Sequence, residues 1–400
     1  MRWLLFLAVL PAIANGSGDV VARIRRHSAE ILSRLPNYTC RMTVERATRA
    51  SNSKKWKPID TLRLDVAYVE GSELFAWPGA GKFEEKPLNE IVGPGALTGT
   101  GDFAMHIRAI LVDPGARIAC REGKPIECSY SVPLASTKYL IVLGDQRGLA
   151  SYHGRFTVDP DTLDLQELDL AIDEVRPAVA VQSATKKMEY MRVPIGDSTF
   201  LLPRRTELEM EAEGVFSRNV TRFDECRQYT GESVISFGDP ADIAPAAVTV
   251  RHLLLRPDLR IESALQTKLT LEMAIGDPVM AIVTHAVKEH GVEVLPKGAQ
   301  LLGRVTRLER AQRFRMEYCI VGVSFDSVER DGAKGEFRAD LESVGAGPAY
   351  HVPGVNDPAA PLTVWNSVRG HPAPKPGESI FYVRGPSLRV PALRMIWRTK

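Results

Sequence analysis

At 400 residues the chain is long enough for two or three domains, each able to bury its own core. Hydrophobic content of 44% and charged content of 25% exclude a disordered chain, and a formal net charge of +2, with no basic block apart from acidic neighbours, argues against a nucleic-acid partner. The 27 prolines and 31 glycines suit a turn-rich, mainly β protein.

Arg2, the apolar run Trp3 to Leu10 and the small-residue site Ala12-Ile13-Ala14 predict a secretory leader over residues 1–14. No cysteine follows the site to accept a lipid, and no later apolar run reaches the roughly 20 residues of a spanning helix, so the mature chain is expected to carry no transmembrane segment. The expected location is the periplasm or the medium.

Asp19 to Leu35 places Val20, Val21, Ile24, Ile31 and Leu32 on one helical face, and Pro36 ends the helix. Tyr38, Cys40, Met42 and Val44 then alternate with polar residues as a first strand, and Leu62, Leu64, Val66 and Tyr68 as a second. Leu74 to Trp77 follows a Glu70-Gly71 turn. The glycine-rich stretch Gly93 to Gly101 lacks the Lys-Ser/Thr of a phosphate-binding loop and reads as a mobile loop. Asp102 is placed to cap a short helix, Phe103 to Leu111, which Asp113-Pro114-Gly115 ends. From Tyr139 to Arg227 strands dominate, joined by turns such as Asp159-Pro160-Asp161 and Ile195-Gly196-Asp197.

A helix followed by a long meander, broken midway by a short helix and loop, resembles the Lol-type outer-membrane lipoprotein carriers. Phe156-Thr157-Val158-Asp159-Pro160, Leu201-Leu202-Pro203 and Ser233-Val234-Ile235-Ser236-Phe237 carry the resemblance. It implies an open half-barrel over residues 15–237 that shields acyl chains in an apolar hollow.

Gly238 to Pro257, with prolines at 240, 245 and 257, reads as a linker. Beyond it, Leu265, Leu269, Leu271 and Met273 alternate, with Thr267 on the same face, and Gly276-Asp277-Pro278 turns into Val279, Ala281 and Val283. Leu295-Pro296-Lys297-Gly298 precedes a strand from Gln300 to Leu308, in which Gly303 signals a bend or close packing. This order, above all Leu295 to Val305, resembles the C-terminal barrel of TrbI-like conjugation proteins. It implies a second small β-barrel or sandwich over residues 258–400, in a family whose barrel contributes to an outer-membrane ring. The long proline-rich linker and membrane anchor of that family are missing here. Phe337, Ala339 and Leu341 read as a further strand, residues 345–377 as a proline-rich excursion, and Leu393 to Thr399 as the strand that closes the barrel. The fold class is therefore mainly β: a helix on a curved antiparallel sheet, then a smaller β domain.

No chemistry-bearing constellation emerges. His285 and His290 lack a metal-binding helix pattern, no G-x-S-x-G elbow occurs, and Asp159, Asp161 and Asp164 lack the glycine a calcium loop needs. The Asp159–Asp169 stretch reads as a solvated strand face. No catalytic, metal or cofactor site is expected.

Cysteines occur at 40, 120, 128, 226 and 319, with no C-x-x-C. Gly123 and Pro125 suit a hairpin that sets Cys120 opposite Cys128. Cys40 lies in the first strand of the meander and Cys226 in the last, which a curved sheet brings together; that bridge is worth roughly 4–5 kcal/mol on a chain-entropy view. Cys319 is left as a core thiol.

Two functions follow. The first half binds an apolar ligand, a lipid or an acylated protein, lined by Tyr38, Met42, Val44, Leu62, Leu64, Val66 and Phe103 and covered by Ile24, Ile31 and Leu32. Alternatively the chain is an envelope assembly component acting through protein–protein contacts of its C-terminal β-barrel, which requires a packed interior and an exposed apolar patch or strand edge. Few contacts are expected between the two halves.

Overall fold

The computed structural model describes residues 16–80, 82–83, 85–86, 88–92, 99–229, 253–270, 272–313, 316–345, 362–364, 378–384 and 394–400. The leader, residues 93–98, most of the linker, most of the 345–377 excursion and the Cys319 side chain lie outside the described residues.

The protein is mainly β. Helix α1 (Gly16–Ser33) precedes β1 (Tyr38–Ala50), β2 (Lys57–Val69), β3 (Ser72–Ala76) and the short helix α2 (Leu88–Val92). Helix α3 (Met105–Ile107) runs directly into a π-helical turn, Arg108–Val112. Then come β4 (Arg117–Arg121), β5 (Ile126–Val132), β6 (Leu140–Leu143), β7 (Gln146–Val158), β8 (Leu165–Arg176), β9 (Val181–Ile195), β10 (Ser198–Ala212) and β11 (Val215–Gln228). These strands form one antiparallel sheet in the order β3-β2-β1-β11-β10-β9-β8-β7-β5-β4, with β6 beside β7. First and last strands of the meander, β1 and β11, are thus neighbours, and Cys40 is joined to Cys226 with Cα atoms 4.0 Å apart. Cys120 and Cys128 face each other across β4 and β5 and form the second bridge.

Strand pairing sets one face of this sheet. A single register row runs Leu62, Val44, Thr221, Thr206, Met188, Leu168, Phe156, Cys128, Cys120. Because side chains alternate along each strand and align across them, the residues of this row share one face. Val20, Ile24, Ser28 and Leu32, one helical turn apart, bury the matching stripe of α1 in the same core. Arg25 donates to the carbonyls of Asp113 and Ala116, which ties α1 to the end of the π turn.

The remaining strands, packed on a core of their own, are β12 (Arg260–Leu265), β13 (Pro278–Val283), β14 (Val287–Glu289), β15 (Val292–Leu295), β16 (Gln300–Arg313), β17 (Met316–Arg330), β18 (Ala333–Glu336), β19 (Ala339–Gly345), β20 (Leu362–Val364), β21 (Glu378–Arg384) and β22 (Arg394–Thr399). Their sheet runs β19-β22-β12-β13-β16-β17-β21-β20, with β18 on β17, while β14 and β15 form a separate hairpin. The last strand is therefore internal to the sheet, and its Trp397 is fully buried against Phe325 and Phe337. Gly303 packs against the β17 backbone, where a Cβ would meet the Ser324 carbonyl at 1.8 Å.

One sequence expectation fails here. The 265–273 alternation is not a strand where it is described: β12 ends at Leu265, residues 266–270 and 272–274 are irregular, and Leu271 lies outside the described residues. The Gln266 and Thr267 amides donate to Met280 O, Thr267 Oγ1 accepts from Met280 N, and Leu269 plugs the core. Burial of the loop leucine imitates a strand pattern.

That irregular segment also joins the halves. Ile275 forms a parallel bridge with Leu62 at the part of β2 that β3 leaves free, exchanging hydrogen bonds with Thr61 and Arg63. The Arg63 guanidinium holds both carboxylate oxygens of Asp277, at 2.7 and 2.6 Å. Arg304 lies over the Trp77 ring, 5.2 Å from its centroid.

Candidate functional site

The helix-bearing face of the first sheet brings together the residues expected to line a hollow. Tyr38, Met42, Val44, Leu62, Leu64, Val66 and Phe103 are all at most 5% exposed and belong to one core cluster. Phe103 is the centre of an aromatic group, with ring centroids 5.2 Å from Tyr38 and 4.9 Å from Phe223. With residues 99–112 in place, these side chains are buried in one apolar cluster with the inner stripe of α1, whose own backbone lies against the π turn and β4.

Within this apolar face lies a buried charge cluster that the sequence did not single out. Lys186 is 1% exposed and stands on β9 between Leu170 and Leu208 in register. Ala184, Met188 and Tyr190, its alternating neighbours, are also buried. The ammonium donates to His106 Nε2 at 3.0 Å and to the Thr100 carbonyl at 3.2 Å, and pairs with the Asp102 carboxylate. Asp102 Oδ1 touches that ammonium without hydrogen-bond alignment. An ammonium can only donate, so His106 accepts through Nε2 and carries its proton on Nδ1. Burial and the adjacent Lys186 push the His106 pKa well below the ordinary value, which keeps the ring in that neutral form. Burial disfavours the charge on Lys186, but Asp102, Tyr139 and Glu73 outweigh it and hold its pKa above the ordinary lysine value.

Glu73 extends the cluster from β3. Its two oxygens accept from the amides of Gly101, at 2.7 Å, and Phe103, at 3.0 Å. The residue as a whole is half-buried, but its carboxylate sits at the inner end. Burial and the negative charge of Asp102 push its pKa up to about 6. Gly101 enters this turn at φ +85°, where a side chain is strained and a Cβ would also strike Met105. Tyr38 contributes a buried hydroxyl with no hydrogen-bond partner, and burial together with Glu73 raises its pKa.

The expected Asp102 cap is corrected by this geometry: helix α3 has no side-chain cap, and Asp102 turns to Lys186 instead. An unpaired ammonium in the core costs far more than an unmade cap. The Asp159–Asp169 stretch also differs from expectation. Asp164 is buried and held by Arg192 and His27, while Asp159 accepts from the Asp161 and Thr162 amides in a local turn. Among the described residues, no group of three or more His, Cys, Asp or Glu is placed to hold a metal ion. A groove of about 450 Å³ beside the Cys40–Cys226 bridge has a charged lining that includes Arg41, Asp65, Glu225 and Arg227, unlike a site for an apolar ligand. Lys186 was legible in principle, as a charge in the inward register of an alternating strand; its partners on a separate loop were not.

The chain matches no protein-family model and no curated protein. Among solved structures it is similar to a DUF1329 family protein from Desulfovibrio piger, at 10% identity and a TM-score of 0.23, over 53% of this chain and 95% of that one. It is also similar to a domain from Vibrio parahaemolyticus provisionally named as an outer membrane lipoprotein-sorting protein, at 9% identity and a TM-score of 0.23, over 53% of this chain and 94% of that one.

Proposed function

We propose that the chain is an exported, non-enzymatic envelope protein whose first sheet takes up an apolar ligand, a lipid or an acylated protein, beneath a lid formed by residues 99–112. The buried Lys186–Asp102–His106 cluster carries this reading. It fastens a short segment to an apolar sheet face by charge rather than by packing alone. Buried ion pairs add little net stability compared with apolar replacements, so a device that latches and releases explains their presence better than fold stability does. Lifting the segment would uncover Tyr38, Met42, Val44, Leu62, Leu64 and Val66, with Phe103 leaving on the lid. The two disulfides support an oxidising compartment outside the cytoplasm. No helix of the described residues is long and apolar enough to cross a membrane.

An environment-sensitive apolar dye should bind the full chain with a saturable isotherm. Glutamate at Leu64 and Val66 together should abolish it in a protein that keeps its β circular dichroism. No saturable binding, or unchanged binding in the folded double variant, would remove the carrier reading.

An assembly role is the second reading, and the strand that favours it is β6, in the first sheet rather than in the C-terminal barrel expected to carry such contacts. Among the described residues this strand pairs with β7 alone, and Leu140, Val142 and the facing Leu149 are 50%, 49% and 40% exposed. An open strand edge with apolar side chains suits addition of a partner strand.

A further inference from the structure

We infer that the hairpin turn between β1 and β2, with the facing end of β11, docks onto an anionic lipid surface. Between Glu45 and Asp60 the chain carries Arg46, Arg49, Lys54, Lys55 and Lys57 and no acid, so, against the expectation from the balanced composition, one basic block does stand apart from acidic neighbours. Arg46 is taken by Asp60. Lys54, Lys55 and Lys57 are exposed at the turn, and none forms an ion pair among the described residues. Trp56, in their midst, is met by two guanidinium groups, Arg49 at 5.0 Å and Arg218 at 4.5 Å from its ring centroid. Arg49 also stacks on Phe216 at 3.7 Å. Ile59 and Val215, at the same end of the strands, are 40% and 44% exposed.

Aromatic rings and exposed aliphatic side chains among lysines are the composition of an interfacial anchor. The rings lie at headgroup depth while ammonium groups meet lipid phosphates. A protein partner of this chemistry would need matching acidic pockets, whereas a bilayer accepts lysines on a turn without fixed geometry. The opposing acids are Glu209, in register with Arg218, Glu211 and Glu213 on the same hairpin, and Glu207, which lies 3.8 Å from Arg218. They leave the lysine tip itself uncompensated. The inference does not depend on the carrier reading, because it concerns the rim of the sheet and not its covered face.

The test is cosedimentation of the full chain with vesicles of phosphatidylcholine mixed with phosphatidylglycerol, against phosphatidylcholine alone. Binding should require the anionic lipid, weaken with salt, and fall by about fivefold for each lysine removed in the combined Lys54→Gln, Lys55→Gln and Lys57→Gln variant. A control bearing Lys268→Gln, Lys288→Gln and Lys297→Gln, with the same net charge, should bind as the native chain does. Brominated lipids should quench the native tryptophan emission, and Trp56→Phe should remove that quenching; this readout stands even if the lysine variant folds poorly. Equal binding to both vesicle types, equal loss in the two lysine variants, or no Trp56-dependent quenching would overturn the proposal. So would retention on an acidic polypeptide with no binding to vesicles.

Discussion

Glu73 and His106 respond to pH in opposite senses, although they serve the same cluster. Glu73 has a folded pKa near 6 against an ordinary 4.5, so the folded state binds its proton more tightly. The stabilisation from that proton is complete below about 4.5 and is lost as pH rises through about 6. His106 is held below its ordinary 6.5, so its contribution is present above 6.5 and is lost as pH falls. Between about 4.5 and about 6 the two slopes oppose each other. Urea unfolding across that range should therefore show a shallow dependence on pH in the native chain. Glu73→Gln should unmask a clear rise in stability with pH up to about 6.5, contributed by His106. A Glu73→Gln profile that stays shallow would show that His106 is not held neutral in the fold.

At the scale of elements, the ion pair of Lys186 and Asp102 joins β9 to the segment that enters α3. Removing one member leaves the other buried and unpaired, so Lys186→Met alone should destabilise the protein by about 3–5 kcal/mol. Adding Asp102→Leu should recover most of that loss, because an apolar pair of similar volume needs no counter-charge. The double-mutant cycle is read by chemical denaturation. Hydrogen exchange at residues 99–112 should rise in the single variant and far less elsewhere in the first sheet. Additive single effects would mean that the two side chains do not act as a pair.

For the whole molecule, the question is how far the two sheets act as one. Contacts between the halves are more specific than the linker composition suggests: a backbone bridge at Ile275, a two-oxygen contact from Arg63 to Asp277, and Arg304 over Trp77. Gly276 permits the approach. It sits at φ +101°, and a Cβ there would lie 2.3 Å from the Arg63 carbonyl and 2.6 Å from the Trp77 ring. Gly276→Ala should release this docking without unfolding either core. Calorimetry should then resolve two thermal transitions, and limited proteolysis between Gly238 and Arg256 should yield two fragments more readily than in the native chain. A single transition unchanged in the variant would show that Gly276 does not govern the coupling. Trp77 directly follows β3, the strand that carries Glu73, so this contact places the second sheet one short strand away from the charge cluster.

Sequence by itself determined the elements whose pattern is local. Alternation in β1, β2 and β8 to β11, the apolar stripe of α1, and the Gly123-Pro125 turn that sets Cys120 against Cys128 all act over a few residues. Even the Cys40–Cys226 bridge follows once a meander is assumed to bring its end strands together. Leu269 shows the limit of that reading, since a buried loop residue gives the same period as a strand residue. Tertiary structure alone decided which distant groups meet: Lys186 with Asp102 and His106, Arg63 with Asp277, and Trp56 with Arg49 and Arg218. Each of those pairings joins positions brought together by strand register or loop path. The burial that makes an ion pair obligatory, or leaves a lysine free, is a property of the assembled sheet and not of any segment.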